Sequence, residues 1–358
     1  ATSSPSAASG GSTGGSSSGS GLPFGGGDGS GGTGAPGSSQ LTPAQQSVVS
    51  TVDKSVVDIN TELGYQNGAA AGTGMVLTAD GVVLTNNHVI DGATSISVTL
   101  VSSGKTFKAH VLGDDVTQDV ALIQIDNASG LTPIAVSNSS VKVGDQVVAI
   151  GNAGGAGGTP SAVSGAVTDL NRQITASDQN GANAEQLSGL IQTDAPIQAG
   201  DSGGPLVNTK GQVIGMDTAA SSSNQFNGAA SEGFAIPISE ARQIADQIQK
   251  GQATDKIHIG ETGFLGVSVA ADSGVPGSIG SGNGAQVSSV IAGSPADKAG
   301  ITGGDTITAV DGTPISSSTD LTNTLRSHHP GDSVNVTWTD QSGASHSAAI
   351  TLAAGPAA

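Results

Sequence analysis

The 358-residue chain contains no cysteine, which excludes a disulfide framework, a thiolate metal site and a cysteine nucleophile. Aromatic residues are scarce, at one Trp, one Tyr and five Phe, so few large side chains are available for an oligomer interface. Only 11 Lys and Arg stand against 29 Asp and Glu, for a net charge of −18. Nucleic acids and anionic membranes are bound through clustered Lys and Arg, and we therefore expect neither as a partner.

Long hydrophobic runs are also absent, because no stretch of 18 apolar residues occurs. The chain begins at Ala1 with neither a Met nor a charged signal-like region, which predicts a processed form or a fragment cut downstream of a signal or membrane anchor. Residues 1–40 are almost wholly Gly, Ser, Thr, Pro and Ala, and this composition predicts a disordered tether. A disordered terminus without a tethering role would have the same composition.

From Ser47 onward, short apolar runs alternate with turn signals, which is typical of a mainly β fold. The runs form two sets, at 56–59, 74–77, 82–85, 96–100, 120–125 and 146–150, and then at 162–167, 190–192, 206–207, 213–214 and 233–238. Two β-barrels in tandem would use both sets. A helical period from Ser239 to Lys250, with Ser239 as N-cap, closes this predicted domain of residues 41–252.

A third set of runs lies in residues 260–355 and combines strands with one predicted helix from Ser317 to Ser327. Strands and a helix within fewer than 100 residues predict a small α+β domain. No repeat with a solenoid or propeller period is present, and no motif suggests a metal or an organic cofactor.

The hexamer at residues 200–205, Gly-Asp-Ser-Gly-Gly-Pro, predicts a nucleophile at Ser202. Its glycines leave little bulk near the hydroxyl, and they place an oxyanion hole at Gly200, Asp201 and Ser202, with the amides of Gly200 and Ser202 as donors. A chain with 56 Gly can produce such a hexamer in a linker by chance. The apolar runs on both sides predict buried strands instead.

A serine nucleophile needs a base with a pKa near neutrality, and six histidines are available. His88 is the best candidate because it follows the apolar run 82–85, although a half-buried structural histidine is the alternative. Asp119 directly precedes the run 120–125 and is the predicted carboxylate that orients the imidazole. Three other carboxylates compete for that role: Asp114, Asp115 and Asp126. The order His, Asp, Ser, with separations of 31 (119 − 88) and 83 (202 − 119) residues, is that of double-barrel serine proteases.

With these motifs, residues 45–355 resemble the HtrA/DegP family of serine proteases. The resemblance is carried by the segments 85–90 (TNNHVI), 119–122 (DVAL), 191–206 and 233–237 (GFAIP). It implies a chymotrypsin-like double β-barrel followed by a PDZ domain, with His88 as base, Asp119 as its orienting partner and Ser202 as nucleophile. It further implies a homo-oligomer, commonly a trimer, and an extracytoplasmic location. Asp201 departs from the family, which usually has Asn there, so Asp201 needs a partner of its own.

The C-terminal domain has its own resemblance. Residues 294–300 (SPADKAG) and 304–312 resemble the bacterial PDZ pattern, and Phe264, Leu265, Gly266 and Val267 match its carboxylate-binding loop. Free amides around Leu265 and Gly266 would hold a peptide C-terminus while Val267 and Val269 pair with the added peptide strand. The alternative is that Phe264 and Leu265 are ordinary core residues.

Six residues are expected to shape the primary specificity pocket: Pro196, Thr218, Ala219, Ala220, Gly233 and Phe234. By resemblance, Pro196 lies at the pocket floor, where a cationic side chain would need a buried carboxylate. This predicts cleavage after Val, Ala, Ile or Leu, unless Asp217 or Glu232 turns inward.

The sequence thus predicts an ATP-independent endopeptidase of unfolded or damaged envelope proteins, with C-terminal peptides bound at the PDZ domain. A non-enzymatic, chaperone-like or peptide-binding envelope protein is the alternative, and a digestive exoprotease is a third.

Overall fold

The computed structural model describes residues 41–65, 68–176, 185–218, 232–270 and 284–357. The predicted tether at residues 1–40 lies outside the described residues. The described chain opens with helix α1 (Pro43–Val52), in which Thr42 and Gln45 form a capping box. The first barrel follows, with strands β1 (Val56–Leu63), β2 (Gly68–Val76), β3 (Val82–Thr85), the one-turn helix α2 (Asn87–Ile90), β4 (Ser95–Leu100), β5 (Thr106–Asp115) and β6 (Val120–Ile125).

These strands form a sheet in the order β5-β4-β1-β2-β3-β6, and the pairing of β5 with β6 closes it into a barrel. Alternating burial along β4 places Ile96, Val98 and Leu100 inside. The run 120–125 is buried almost throughout, because one face fills the barrel and the other packs against the second barrel.

The second barrel is built from strands β7 (Gln146–Gly151), β8 (Ser161–Ala176), β9 (Glu185–Thr193), β10 (Pro205–Asn208), β11 (Val213–Thr218) and β12 (Gly233–Pro237). It is closed in the order β10-β11-β12-β9-β8-β7. Helix α3 (Ile238–Gln249) buries Ile238, Ala241, Ile244, Ala245 and Ile248 against both barrels. The predicted double barrel is confirmed.

The C-terminal domain consists of β14 (Gly263–Phe264), β15 (Val267–Val269), β16 (Ala285–Val290), α4 (Pro295–Ala299), β17 (Thr306–Val310), β18 (Thr313–Pro314), α5 (Ser318–Arg326), β19 (Ser333–Thr339), β20 (Ser345–Thr351) and β21 (Ala353–Ala354). It follows β13 (Ile257–Ile259), which pairs with β5 of the first barrel. Its core surrounds Trp338, Ile307 and Leu321. The predicted helix at residues 317–327 matches α5, which Ser317 caps through the Asp320 amide.

Several details differ from the sequence prediction. Residues 47–52, where the sequence predicts the start of the mainly β region, instead lie in helix α1, of which only Val52 is buried. Ser239 is not the N-cap of α3, because the helix already begins at Ile238 with Pro237 at the cap position. Strand β13 lies between the two predicted domains, where the sequence analysis predicts no strand; it pairs with β5, and Ile257 packs in the core that includes α3. Among the described residues, no helix is both long and apolar enough to cross a membrane.

Candidate active site

His88, Asp119 and Ser202 come from three separate segments. His88 lies in α2, directly after β3, and its side chain is 45% exposed. Asp119 immediately precedes β6 and is buried. Ser202 is buried in the turn that leads into β10 of the second barrel. The backbone N–H of Thr73, on β2, donates to the Ser202 carbonyl at 2.8 Å, so the serine turn lies against the first barrel.

The His88 ring and the Asp119 carboxylate form a bidentate contact. His88 Nδ1 lies 2.9 Å from Asp119 Oδ2 and 3.0 Å from Oδ1, and the His88 backbone N–H donates to Oδ1 at 3.0 Å. Asp119 has a left-handed backbone with φ of 53°. The side-chain amide of Asn86 donates to the Asp119 backbone carbonyl at 2.9 Å, which stabilises this conformation. A carboxylate held at Nδ1 keeps the proton on that nitrogen and leaves Nε2 as the basic atom.

The three competing carboxylates are engaged elsewhere. Asp114 pairs with Arg326, Asp115 accepts from the Gln118 backbone N–H at 3.2 Å, and Asp126 lies 2.8 Å from His110 Nδ1. The structure thus brings Asp119, and not its competitors, to His88.

Thr73 joins the two barrels beneath the serine turn. Its hydroxyl donates to the Gly200 carbonyl at 2.7 Å and accepts from the Asn152 backbone N–H at 2.8 Å. Its carbonyl accepts from the Thr85 hydroxyl at 2.7 Å. Sequence reasoning missed Thr73; its position between Gly72 and Gly74 is the only local signal of a close backbone approach.

Two glycines of the turn are required by geometry. Gly200 has φ of 95°, and a Cβ there would lie 2.2 Å from the Asn152 carbonyl oxygen. Gly203 has φ of 85°, and a Cβ there would lie 2.1 Å from the Thr73 carbonyl oxygen. Both are backbone clashes that side-chain movement cannot relieve, so the turn depends on glycine at these positions.

The Asp201 carboxylate accepts its hydrogen bonds from residues of the second barrel. Its Oδ1 accepts from the Ser161 hydroxyl and its Oδ2 from the Gln198 backbone N–H, each at 2.9 Å. Burial raises the pKa of Asp201, and the two donors offset this in part. Its own N–H donates to the Gln198 carbonyl at 3.0 Å. The Asp201 amide is therefore engaged in a turn, and the amides of Gly200 and Ser202 remain the predicted donors of an oxyanion hole.

The expected specificity residues lie partly within the described chain. Pro196 is half-buried, Thr218 on β11 pairs in register with Phe234 on β12, and a Cβ on Gly233 would meet Ile197 at 2.7 Å. Ala219 and Ala220 lie outside the described residues.

Thr218 has a role that the sequence did not reveal, because its hydroxyl donates to Asp119 Oδ2 at 3.3 Å. Of the two uncertain acids, Glu232 is exposed and Asp217 is fully buried.

In the C-terminal domain, residues 264–267 open onto a cavity of about 620 Å³. Leu265 is buried in the domain core, and its carbonyl accepts from the Ala296 N–H at 2.9 Å. The Gly266 carbonyl accepts from the Ile291 N–H at 2.9 Å. Within the described chain, the amides of Leu265 and Gly266 donate no hydrogen bond, so the loop presents two amides suited to an anion.

This cavity faces the first barrel. Asn87, Asp91 and Gly92, which flank or follow His88 in the chain, line it together with α5 and residues 355–357. The backbone of Ala357 pairs with residues 92 and 93 through two hydrogen bonds of 2.8 Å. Tyr65 stacks on Phe264, with ring centroids 5.1 Å apart. Candidate peptide cavity and candidate base are therefore close neighbours.

Comparisons with known proteins agree with this architecture. Residues 72–216 match the family described as trypsin-like peptidase domain, and residues 263–343 match the PDZ domain. The chain is 36% identical to the serine protease PepD of Mycobacterium tuberculosis, over 86% of this chain and 65% of the relative. It is 41% identical to the periplasmic pH-dependent serine endoprotease DegQ of Escherichia coli, over 74% of this chain and 55% of the relative. The chain thus spans less than two thirds of the length of these relatives.

A solved structure of the HtrA-type protease AlgW with a tripeptide superposes with a TM-score of 0.50 at 29% identity, over 87% of this chain and 97% of that one. The predicted family and fold class are therefore confirmed: the chain has a trypsin-like peptidase domain followed by a PDZ domain and is homologous to the HtrA serine proteases.

Proposed function

We propose that this homologue of the HtrA serine proteases is an endopeptidase, with a peptidase unit at residues 41–252, a PDZ unit at residues 260–355 and a tether at residues 1–40. The observation that carries the proposal is the bidentate contact of Asp119 with His88 Nδ1. Gly72 lies against both Val89, the residue after His88, and the Ser202 carbonyl, which brings the glycine-framed serine turn next to this pair. The named relatives are serine proteases, which supports the same chemistry.

In the proposed mechanism, Ser202 Oγ attacks the carbonyl carbon of the scissile bond while its proton passes to His88 Nε2. Asp119 stabilises the resulting imidazolium and holds the ring in place. The amides of Gly200 and Ser202 stabilise the oxyanion, and His88 then protonates the leaving amine. Water then attacks the acyl carbon while its proton passes to His88 Nε2. His88 returns that proton to Ser202 Oγ as the acyl-serine bond breaks.

We propose that the substrates are unfolded or damaged proteins cleaved after compact apolar residues. Pro196 and Gly233 place no charge at the pocket, and exposed Glu232 points to solvent. Asp217 is buried away from solvent, so it is not available to pair with a basic substrate side chain without rearrangement. Burying an unpaired Lys or Arg would cost several kcal/mol. Extended segments rich in Val, Ile and Leu are mostly buried in folded proteins and become accessible on unfolding, which accounts for the expected substrate class.

We propose that the PDZ unit binds peptide C-termini through the Leu265 and Gly266 amides, with Val267 on β15 as the pairing strand. An extracytoplasmic location is proposed from the periplasmic relative and from the Gly/Ser-rich residues 1–40. A homo-oligomer, by resemblance a trimer, stays a prediction, which a mass measurement in solution would test. A membrane anchor upstream of Ala1 also stays a prediction.

The proposal is tested by hydrolysis of casein by the unmodified chain, by Ser202→Ala and by His88→Ala. We expect both substitutions to abolish hydrolysis while the circular dichroism spectrum and melting temperature stay close to those of the parent, because the residues act as one unit. Binding of casein without hydrolysis by the folded, unmodified chain would instead support the non-enzymatic alternative.

A further inference from the structure

Asp217, on β11, is an acid that the proposed mechanism does not use. It is fully buried, and in the described chain neither side-chain oxygen has a well-aligned hydrogen-bond partner. Its backbone nevertheless frames the serine turn. The Gly203 N–H donates to the Asp217 carbonyl, and the Asp217 N–H donates to the Gly204 carbonyl, each at 2.8 Å. A change in the charge of Asp217 therefore acts directly on the segment that carries Ser202.

A second buried acid, Asp201, is joined to Asp217 through Gly204, whose N–H donates to the Asp201 carbonyl at 2.9 Å and whose carbonyl accepts from the Asp217 N–H at 2.8 Å. Asp201 accepts hydrogen bonds from Ser161 and Gln198, whereas among the described residues only the Ile150 backbone N–H acts to lower the pKa of Asp217. Two buried carboxylates without a cation cannot both ionise cheaply. The Ser161 and Gln198 donors stabilise the ionised form of Asp201, so Asp217 is the acid of the pair that keeps its proton.

No described basic group offsets this pair. Strands β7, β10 and β12 carry no charged side chain within their bounds. The Asp119 carboxylate, which accepts from the Thr218 hydroxyl next to Asp217, is an acid and supplies no positive charge. The remaining charged groups on β8, on α3 and beside the strands are exposed or half-buried: Lys142, Asp145, Asp169, Arg172, Asp194, Lys210, Glu232, Glu240, Arg242 and Asp246. Arg172 and Arg242 contact Asp169 and Asp246. Burial, and then the charge of Asp201, raise the pKa of Asp217 well above its ordinary value.

We propose that Asp217 is a positioning residue which carries a proton in the active enzyme, and that its ionisation sets an alkaline limit on activity by placing a second negative charge behind the serine turn. The inference rests on the proposed peptidase function. Loss of the proton from the Asp217 carboxyl to solvent leaves two buried anions, and the strain is relieved by movement of the Gly203 and Gly204 segment away from β11. The expected loss is in kcat, because the substrate pocket itself does not ionise.

The test compares the parent with Asp217→Asn, a neutral variant of the same shape, and with Asp169→Asn, an exposed acid on β8, as matched control. The kcat for a casein-derived peptide is measured from pH 5 to pH 10. We expect the alkaline midpoint of Asp217→Asn to move upward by about one pH unit or more, while the acid limb, set by His88, stays in place. The control should keep both limbs of the parent.

A second measurement does not depend on activity. In a Ser202→Ala background, melting temperatures are compared with and without Asp217→Asn across the same pH range. Because the folded state holds the Asp217 proton more tightly than the unfolded state, stability falls as pH rises above about 4, and the advantage of Asn should grow with pH. An unmoved alkaline midpoint in a folded, active Asp217→Asn variant overturns the proposal, as does a pH-independent difference in melting temperature. Absence of hydrolysis by the parent at every pH would instead refute the proposed function, and the melting data would still show whether Asp217 holds a proton.

Discussion

One buried ion pair links the C-terminal domain to the first barrel, and its removal should have a pH-dependent cost. Arg326, at the end of α5, donates to Asp114 on β5. The Asp114 side chain is 1% exposed and that of Arg326 is 18% exposed. Burial raises the pKa of Asp114 to about 6, although the Arg326 charge opposes that rise. Arg326→Gln removes the opposing charge and should raise the pKa further.

The sign of the effect follows from proton linkage. In the parent, the folded state holds the Asp114 proton more tightly than the unfolded state, so stability declines as pH rises from about 4 through about 6. In Arg326→Gln the decline should continue above pH 6 at up to about 1.4 kcal/mol per pH unit. Between pH 5 and pH 8 the added cost should approach about 3 kcal/mol, in line with the loss of one partner from a buried pair.

Urea unfolding in a Ser202→Ala background at pH 5 and pH 8 measures this cost without self-cleavage. Arg242→Gln is the matched control, because Arg242 lies 3.9 Å from Asp246 and both side chains are about half exposed. That control should cost less than about 0.5 kcal/mol at either pH. A cost for Arg326→Gln that is equal at both pH values, or as small as that of the control, would refute the account of this pair.

Three further predictions concern the site and the peptide cavity. Thr73→Val removes the hydroxyl that joins Gly200 to Asn152, and kcat should fall roughly 10- to 100-fold with a stability loss of about 1–3 kcal/mol; an unchanged kcat would show that the bridge does not position the turn. A peptide with a free apolar C-terminus should bind the full chain carrying Ser202→Ala, and its amidated form should not, because the Leu265 and Gly266 amides would lose their anion; equal affinities, measured by calorimetry, would contradict this. Cleavage sites mapped by mass spectrometry in a denatured protein should follow mainly Val, Ala, Ile or Leu, and a majority after Lys or Arg would overturn the pocket assignment.

Local patterns were sufficient to predict several elements. The runs at 82–85 and 120–125 coincide with β3 and β6. The helix predicted at residues 317–327 differs from α5 by one residue at each end. In each case a short apolar or periodic segment is bounded by its own turn or cap residues. The placement of His88 after one strand and Asp119 before another followed from the same local signals, and the structure brings the two side chains together.

Long-range contacts could not be predicted in this way. Thr73 lies 127 residues from the carbonyl that it holds, and Ser161 lies 40 residues from Asp201. Neither pairing has a sequence period or a turn signature. The sequence indicates Asp217 only as an acid that could turn into the specificity pocket, and its complete burial beside a second acid has no signal in the sequence. Strand β13 was missed because three residues are too few to show an alternating pattern.

The central claim is that Ser202 is a nucleophile activated by His88. The most direct measurement is the reaction of the intact chain with a fluorophosphonate, followed by mass spectrometry of the labelled peptide. The account predicts one label per chain, on Ser202, and a strongly reduced labelling rate in His88→Ala and in Asp119→Asn. Labelling of a different residue, or equal labelling of Ser202 in the parent and in His88→Ala, would contradict it.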